Sequence, residues 1–572
     1  MEKWVVASKK ADFKQIGIRF GIDQVIARLI HNRDIVGDEN IQRYLYGKLE
    51  DLASPHLLMD MDLVVGILSE KISQKKRIRI IGDYDIDGVM SVYILMKSLR
   101  DFGADVDYRI PERIADGYGL NLRLILEAHQ EGIDTILTCD NGISAVAEIE
   151  KAKELGLTVI VTDHHEVPFE NIDNGKRQIL PPADAVIDPM RSDCTYPQKN
   201  ICGAVVAWKL VTALEERIRG TTDEAMRFLE FAAFATVGDV MDLVGENRVI
   251  VREGLPALEN TENVGMQALL RATNMMGRQL GAYQIGFVLG PCVNASGRLD
   301  TAMKAIGLLL ETDPEKADEI AQELCRLNDA RKDMTEKGRE DALAAVIEKG
   351  YQFDRVLVIF LPDCHESLAG IIAGRVREEY HRPCFIITRS EGCCKGSGRS
   401  IEEYSMFEEL SACKDILEKF GGHPMAAGLS IREDRIDELR RRLNENCSLT
   451  HEDLIEKIHI DAAMPIAYLS KRLVNQMQLL EPFGKGNERP LFAQKDLHTV
   501  DARVVGKNKN ALKLRLVDAN GVSLSAIYFG DAQKMYEELH IKNRLAVTYV
   551  PEINVYQGRE SLQIVIQNYK VY

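Results

Sequence analysis

The sequence has no apolar run long enough to span a membrane, no cysteine framework and no excess of basic residues. A spanning helix needs about 20 mainly apolar residues, and the opening residues, 1–6, lack the apolar stretch of a signal peptide. The eleven cysteines show neither a disulfide-type pairing nor a zinc-type pair two residues apart. These absences predict a reducing, cytoplasmic setting in which the thiols are small buried hydrophobes.

The net charge of −16 argues, taken alone, against a nucleic-acid partner. That argument weakens if carboxylates gather in a metal site, because bound cations offset their charge, and an acidic protein can still carry a local basic channel. The chain has 572 residues, of which 45% are hydrophobic. A single hydrophobic core stops growing at about 250–300 residues, so a chain of this length is expected to contain several domains.

Three carboxylates stand close together in residues 82–88, between a short apolar strand at 77–81 and a helix at 89–99. Asp83, Asp85 and Asp87 would repel one another, and each would raise the pKa of its neighbours. A hard cation such as Mg²⁺, Mn²⁺ or Ca²⁺ is the usual remedy. The alternative is a polar loop with aspartates at turn and N-cap positions.

Two further apolar strands also end in metal-ligand types. Residues 135–139 are followed by Asp140, and residues 157–162 by the triplet of Asp163, His164 and His165. In open α/β sheets the ligand crevice lies outside the carboxyl ends of the strands, so these ends should meet. A flanking carboxylate can orient a ligating imidazole. A histidine pair seen alone would more often be a cap or a surface feature.

The order of elements predicts an α/β fold in several parts. Strands at 78–81, 106–110, 135–139, 159–162 and 185–187 alternate with helices, which predicts a parallel sheet with helices on both faces. A charged helical pattern from 313 to about 349 suits a connector. A second α/β unit follows, with a strand at 356–361, a helix at 366–379, a strand at 384–388 and two glycine-rich loops at 395–400 and 420–428.

The last stretch alternates apolar and polar residues and predicts a small β-barrel, for which the oligonucleotide-binding (OB) type is one option. Its cations and one aromatic suit a single-strand groove, although a solvated strand face would look similar. These residues are Lys507, Lys509, Lys513, Arg515 and Tyr528.

Glycine-rich segments elsewhere carry cationic or polar side chains that could approach an anion. The candidates are Arg113 in 111–119, Arg298 in 290–298, Ser397 and Arg399 in 395–400, and His423 in 420–428. Ordinary turns are the alternative. Asp239 follows an apolar helix and is either one more ligand or part of a C-terminal turn, and its local sequence alone favours the turn.

Taken in order, four motifs resemble the DHH phosphoesterase superfamily. They are Asp-Tyr-Asp-Ile-Asp-Gly (83–88), Asp-Asn-Gly-Ile-Ser (140–144), Asp-His-His (163–165) and Gly-Asp-Val (238–240). Within that superfamily the chain is most similar to the RecJ family of bacterial single-strand-specific 5′→3′ DNA exonucleases. Five more motifs carry this likeness: Pro-Glu-Arg with Asp-Gly-Tyr-Gly (111–119), Asn-Ala-Ser-Gly-Arg (294–298), Gly-Ser-Gly-Arg-Ser (396–400), Phe-Gly-Gly-His-Pro-Met-Ala-Ala-Gly (420–428) and Glu-Pro-Phe-Gly-Lys-Gly-Asn (481–487).

The resemblance implies a domain plan and an activity. After an N-terminal segment (1–60) whose amphipathic runs predict helices, it implies a DHH catalytic domain (61–312), a connecting helix (313–350), a DHHA1 domain (351–454) and an OB-type nucleic-acid-binding domain (455–572). The implied activity is hydrolysis of single-stranded DNA to 5′-mononucleotides with two Mn²⁺ or Mg²⁺ ions, in DNA repair and recombination. A single-strand-binding protein and a helicase are the implied partners of a monomer that has no membrane contact.

The resemblance also implies site residues. Metal ligands would be Asp83, Asp85, Asp87, Asp140, His164 and Asp239. Catalytic residues would be Asp140 and His165, and substrate-binding residues Arg113, Arg298, Ser397, Arg399 and His423. In related pyrophosphatases a histidine stands four residues before the position of Asp85, where this chain has Ile81, so one ion would have fewer protein ligands.

Two rival functions remain open from sequence. One is a different enzyme of the superfamily, such as a nano-RNase or a cyclic-dinucleotide phosphodiesterase, although such chains lack the C-terminal barrel. The other is a non-catalytic replication scaffold that keeps the fold and loses the ligands. The filled ligand positions count against the second rival.

Overall fold

The computed structural model describes residues 2–113, 116–172, 175–390, 392–506 and 508–572, and Lys507 lies outside them. The chain forms two compact units. One contains Met1–Leu52, Asp242–Arg252 and Lys457–Tyr572, and the other contains Ala53–Met241 and Glu253–Glu456. No single described helix is both long and apolar enough to cross a membrane, although the bent pair Leu49–Leu57 and Met61–Ser73 reaches that length and composition together. The predicted division into five segments stays a prediction.

The larger unit begins with a five-stranded parallel sheet, as predicted. Its strands lie in the order Asp105–Arg109, Arg77–Ile81, Thr135–Cys139, Thr158–Thr162 and Ala185–Ile187. The middle strands are buried because helices cover both faces. Those helices span Met61–Ser73, Ile86–Asp101, Leu122–Gln130, Val146–Glu154, Gly203–Arg219 and Leu229–Gly238. A hairpin, Phe169–Ile172 and Gly175–Gln178, was not predicted.

The order of these strands fixes where a ligand can bind. In chain order the sheet reads 2-1-3-4-5, so its direction of winding reverses between Arg77–Ile81 and Thr135–Cys139. The two strands are paired in parallel, with Ile81 beside Thr138. Side chains that follow them therefore face one crevice at the topological switch point.

A helical layer joins this sheet to the second one. The helices span Gly245–Glu259, Val264–Ala272, Ala282–Gln284, Gly290–Leu299, Met303–Leu310 and Pro314–Glu348, with a π-helical turn at Ile285–Leu289. The last is the predicted connecting helix. It begins where Asp313 accepts a hydrogen bond from the Glu315 amide and Pro314 occupies the first turn. Its thin stripe of buried residues, which includes Leu324, packs against Val264–Ala272 and Gly290–Leu299.

The second sheet of the larger unit corrects one prediction. Its strands lie in the order Lys419–His423, Ala426–Ile431, Cys393–Arg399, Cys384–Ser390 and Leu357–Phe360, so the two predicted glycine-rich loops are mainly strands. Glycine serves packing here, because a β-carbon at Gly398 would lie 2.6 Å from the Phe385 ring. The helices of this part span Ala369–Tyr380, Met406–Ala412 and Ile436–Asn446.

The smaller unit is a closed β-barrel with helices beside it, as predicted for the last stretch of the chain. The barrel strands are Ala462–Ala463, Phe492–Val505, Ala511–Val517, Ser523–Phe529, Arg544–Tyr556 and Arg559–Val571, and pairing of the second with the fifth closes the barrel. Helices span Phe13–Phe20, Gln24–Asn32, Asp38–Tyr46, Lys471–Met477 and Ala532–Ile541. A short strand pair, Glu2–Val6 with Glu456–Ile460, was not predicted.

Glu230 gives the larger unit a pH-dependent stability. It is 8% exposed, and burial raises its pKa to about 7, although its Oε1 accepts a 2.7 Å hydrogen bond from the Thr261 hydroxyl. The unfolded chain ionises this group near pH 4.5, so the free energy of unfolding should fall as pH rises from there to about 7. Glu230→Gln keeps the acceptor and removes the charge. We expect it to stabilise the protein by about 3 kcal/mol at pH 8 and by much less at pH 5.

The measurement is chemical denaturation of wild type and variant at both pH values. The exposed Glu319 on the connecting helix provides the control Glu319→Gln, for which the difference from wild type should not change with pH. Equal stabilisation by Glu230→Gln at both pH values would contradict the assigned buried charge.

Candidate metal centre

Asp85 caps the helix that follows the first strand. Its Oδ1 accepts hydrogen bonds from the amides of Asp87 (3.0 Å) and Gly88 (3.1 Å). The N-cap alternative considered from sequence is therefore correct for Asp85, whose second oxygen remains available to a ligand. Asp83 is 1% exposed, and its Oδ1 has no hydrogen-bond partner among the described residues. A buried carboxylate oxygen without a donor fits a position that a cation completes.

Asp87 is held by the start of the helix Gly203–Arg219. Its two oxygens accept hydrogen bonds from the amides of Gly203 (2.6 Å) and Ala204 (2.8 Å). The helix N-terminus favours a negative charge at this place. Glycine is needed because a β-carbon at position 203 would lie 2.8 Å from Cβ of Asp140.

Asp140, His164 and Asp239 complete the group from three other elements. Nε2 of His164 lies 3.1 Å from Oδ1 of Asp140, 3.4 Å from Oδ2 of Asp87 and 3.9 Å from Oδ2 of Asp239. Asp140 has a left-handed backbone (φ 60°), as does Val240 beside Asp239 (φ 57°). A β-branched residue in that region costs about 1–3 kcal/mol, a kind of strain that collects at functional sites.

The structure thus brings together all six residues predicted as metal ligands, hereafter the acidic cluster. Three groups each have one donor atom per residue within 4.8 Å of the others: Asp140, His164 and His165; Asp87, His164 and Asp239; and Asp83, Asp85 and Asp140. Carboxylate oxygens with one imidazole nitrogen form a donor set that suits Mn²⁺ or Mg²⁺. Their role as ligands stays a prediction.

The electrostatics of the acidic cluster favour a bound cation. Burial raises the pKa of Asp83, Asp85 and Asp140, and each is raised further by its neighbouring carboxylates. Burial lowers the pKa of His164, which keeps this imidazole neutral and able to ligate. Positive charge between these groups would remove the repulsion.

His165 has the opposite character. Burial alone would lower its pKa, but a 2.8 Å hydrogen bond from Nδ1 to Oδ1 of Asp163 outweighs burial and raises the pKa to about 9. Asp163 thus orients His165, which is protonated at neutral pH. The Tyr118 hydroxyl donates to the Asp140 carbonyl at 3.0 Å and lies 3.3 Å from the His165 ring nitrogens. A carboxylate that orients an imidazole of this triplet was predicted, and Asp163 takes that part for His165, whereas the contacts of Tyr118 were not predicted.

A cavity of about 610 Å³, the arginine cleft, opens beside the acidic cluster. Arg113, Lys395, Ser397, Lys419 and Phe420 line it, together with Tyr84 and Tyr118. Because Tyr84 stands between Asp83 and Asp85, the cleft and the cluster share one loop. The Arg113 guanidinium lies 4.6 Å from the centre of the Tyr84 ring.

Two more predicted arginines lie at the arginine cleft. Nη1 of Arg298 donates to the carbonyl of Ser367, a lining residue, at 2.8 Å, and Nη1 of Arg399 lies 3.3 Å from Oγ of Ser397. A β-carbon at Gly370, in the first turn of Ala369–Tyr380, would lie 2.8 Å from both Arg399 and Ser397. His423 is exposed at the end of its hairpin strand and is absent from the described lining of the cleft.

The arginine cleft carries positive charge that suits an anion. Among the described residues no ion pair includes Arg113, Arg298 or Arg399, whereas Lys395 in the lining pairs with Glu366 at 3.1 Å. Burial lowers the pKa of Arg298 to about 10, with Arg113 and Arg331 adding to the effect, so the group stays charged at neutral pH. A phosphate would neutralise this concentration of positive charge.

The segment 290–298 has a different use from the predicted approach of backbone to ligand. It is helical, and Oδ1 of Asn294 accepts a 2.8 Å hydrogen bond from the Ile86 amide in the aspartate loop. A β-carbon at Gly297 would collide with the Tyr84 carbonyl. The small residues therefore let this helix pack closely against the loop that carries Asp83 and Asp85.

Gly297→Ala should lower the free energy of unfolding by about 1–3 kcal/mol, because the helix must move away from the Tyr84 carbonyl. Binding of divalent ions should weaken with it, since the same loop carries two of the predicted metal ligands. Gly307→Ala is the control, because that helical glycine has open space at its β-position and the change should be neutral or slightly stabilising. If Gly297→Ala and Gly307→Ala had the same melting temperature, the close contact between Gly297 and the Tyr84 carbonyl would not limit the residue at position 297.

Three family models match consecutive parts of the chain. The DHH family N-terminal domain matches residues 77–236, the DHHA1 domain residues 353–449 and the RecJ OB domain residues 460–568. A single-stranded-DNA-specific exonuclease RecJ of Bacillus subtilis is 32% identical over 99% of this chain and 70% of the relative. The protein of the same description from Haemophilus influenzae is 33% identical over 95% of both chains. The chain belongs to the RecJ family.

Solved structures agree with the family. A crystal structure of RecJ in complex with Mn²⁺ from Thermus thermophilus matches with a TM-score of 0.83 and 28% identity, over 99% of this chain and 79% of that one. A structure of RecJ with Mg²⁺ from the same organism matches with a TM-score of 0.78 and 26% identity, over 99% of this chain and 78% of that one. In this RecJ-family chain Ile81 is fully buried at the end of its strand, so the position that holds a histidine in related pyrophosphatases contributes no ligand.

Proposed function

We propose that this RecJ-family chain is a metal-dependent 5′→3′ exonuclease that degrades single-stranded DNA to 5′-mononucleotides. The observation that carries the proposal is the shared loop: Tyr84 lines the arginine cleft, while Asp83 and Asp85 on either side of it belong to the acidic cluster. A site for a terminal phosphate and a site for divalent ions are thereby one residue apart. Relatives described as single-stranded-DNA-specific exonucleases support the same activity.

Two Mn²⁺ or Mg²⁺ ions held by the acidic cluster would activate water and neutralise charge that develops on the phosphoryl oxygens. Arg113, Arg298 and Arg399, with the Ser397 hydroxyl, would bind the 5′-phosphate in the arginine cleft and so select chain ends. Water attacks the next phosphorus and the bond to the 3′-oxygen breaks, which leaves a mononucleotide and a new 5′-phosphate.

His165 is suited to act on the reacting phosphate as a hydrogen-bond or proton donor. It is protonated at neutral pH, and Asp163 fixes its ring through Nδ1. Asp140 would be a metal ligand shared by two of the three donor groups, because its side chain belongs to both. In this proposal its carboxylate and the His165 ring would flank the reacting phosphate.

We also propose a domain organisation, partners and a cellular setting for the chain. The three family matches lie inside the proposed domains 61–312, 351–454 and 455–572. The OB-type barrel would bind the strand, a single-strand-binding protein and a helicase would deliver it, and the chain would act as a monomer. All eleven cysteines are free thiols, which supports a reducing, cytoplasmic setting.

The test is digestion of 5′- and 3′-labelled strands, single and duplex, with Mn²⁺ or with EDTA. We expect the 5′ label to appear at once as mononucleotide, the 3′-labelled strand to shorten progressively, the duplex to resist and EDTA to stop the reaction. Internal fragments, equal digestion of duplex or cleavage in EDTA would refute the proposal. A strong preference for dinucleotides would favour the nano-RNase rival instead.

A further inference from the structure

An exposed pair of stacked aromatic rings stands on the helix that leads to the arginine cleft. Tyr283 and Phe287 are 66% and 63% exposed, and their rings lie 4.9 Å apart at an interplanar angle of 25°. They lie at the start of a continuous helical run, through the π-helical turn Ile285–Leu289 and the helix Gly290–Leu299. Both rings face solvent, so the stack is not explained by packing of the core.

One side of this helical run connects the rings to the site. From position 292 to 298 only Asn294 and Arg298 are not fully buried, and they follow Phe287 by seven and eleven residues. These spacings place all three on one side of the helix. Asn294 holds the aspartate loop and Arg298 reaches the arginine cleft. The rings and Arg298 therefore lie on the same side of one helical run, with Asn294 packed against the aspartate loop between them.

We infer that Tyr283 and Phe287 form a stacking platform for the bases of the incoming strand, downstream of the nucleotide that is cut. The inference rests on the proposed function, because single-stranded DNA is taken as the substrate. Every base has a π-face, so aromatic stacking binds a single strand without reading its sequence. An exonuclease that must accept each successive nucleotide needs contacts of this sequence-independent kind.

The distance along the helix predicts which nucleotides reach the platform. Eleven residues from Phe287 to Arg298 span about 16 Å at the rise of an α-helix. At about 3.4 Å per stacked nucleotide this corresponds to about the fifth nucleotide from the 5′ end. Oligonucleotides of three residues should end before the rings, whereas those of fifteen should cover them.

The experiment compares KM for 5′-phosphorylated dA3 and dA15 in Mn²⁺ with the full chain. For wild type, dA15 should have the lower KM, and Tyr283→Ala and Phe287→Ala should each reduce that advantage by about tenfold. Phe287→Trp should retain it, while Phe287→Leu, which keeps apolar area but no aromatic face, should lose it. Phe353→Ala is the matched control, because that ring is 84% exposed elsewhere on the same unit.

A dA15 strand with abasic sites at nucleotides 4 to 6 separates stacking from other effects. Its loss of affinity should be large for wild type and clearly smaller for Tyr283→Ala, because the two changes remove a shared contact while Phe287 keeps its own. Additive losses would overturn the platform, as would an unchanged KM ratio in the ring variants. A change in self-association of Phe287→Ala, with an unchanged ratio, would assign the face to a second copy of the chain. If wild type digests no single-stranded DNA, the proposed function itself fails.

Discussion

Asp140→Asn should lower kcat on single-stranded DNA by more than the roughly 100-fold that loss of an outer-shell partner costs a metal site. Asp140 takes part in two of the three donor groups, and its Oδ1 lies 3.1 Å from Nε2 of His164. The amide keeps the shape of the side chain and removes its charge, so the cluster loses affinity for divalent ions. The measurement is steady-state digestion of a labelled single strand in saturating Mn²⁺.

A thermal titration separates loss of metal from loss of fold in the same variant. Wild type should be stabilised by about 2.7 kcal/mol when Mn²⁺ is present at about 100 times its Kd, whereas Asp140→Asn should gain much less. Without metal the variant should be at least as stable as wild type, because one of several buried like charges is gone. Asp329→Asn on the connecting helix is the control. Wild-type activity in Asp140→Asn would remove this residue from the site.

Arg298→Met should lower kcat/KM for 5′-phosphorylated strands by at least about 30-fold, equivalent to about 2 kcal/mol for a buried charge pair that is broken. Arg298 is half-buried, positively charged and directed at the rim of the arginine cleft through the Ser367 carbonyl. Methionine preserves much of the apolar volume, so the helix should stay in place. The preference for a 5′-phosphate over a 5′-hydroxyl end should largely disappear.

The matched control is Arg339→Met, because Arg339 makes its ion pairs with Glu336 and Glu379 on the surface of the same unit. That change should leave the preference for phosphate intact. If Arg298→Met lowered activity on phosphorylated and hydroxyl ends by the same factor, Arg298 would support the fold and not the recognition of the chain end.

The strand ends of the first sheet were predictable because parallel strands place their carboxyl ends at one edge. Asp83, Asp140 and His164 each lie within two residues of the end of an apolar run, so the sequence pattern alone indicated that they meet. Asp239 was harder, because its helix could end in an ordinary turn. Its place in the cluster depends on how Leu229–Gly238 packs, which the local sequence does not contain.

The structural features that the sequence did not indicate have specific physical causes. Glycines at 396 and 398 looked like turn residues, but they make room for Leu429 and Phe385 within a sheet. Residues 492–505 form a barrel strand that an alternating pattern does not indicate, because Asp496 has a left-handed backbone and the pairing shifts twice, which breaks the alternation of apolar and polar residues. Asn294 accepts a hydrogen bond from the Ile86 amide, 208 positions earlier in the sequence, and a local pattern cannot show such a contact.

The central claim is that the acidic cluster binds a pair of divalent ions. Anomalous diffraction from crystals of the wild-type protein grown with Mn²⁺ tests it most directly. We expect two manganese peaks among Asp83, Asp85, Asp87, Asp140, His164 and Asp239, and the loss of at least one in Asp140→Asn. Well-ordered side chains with no peak between them would contradict the claim.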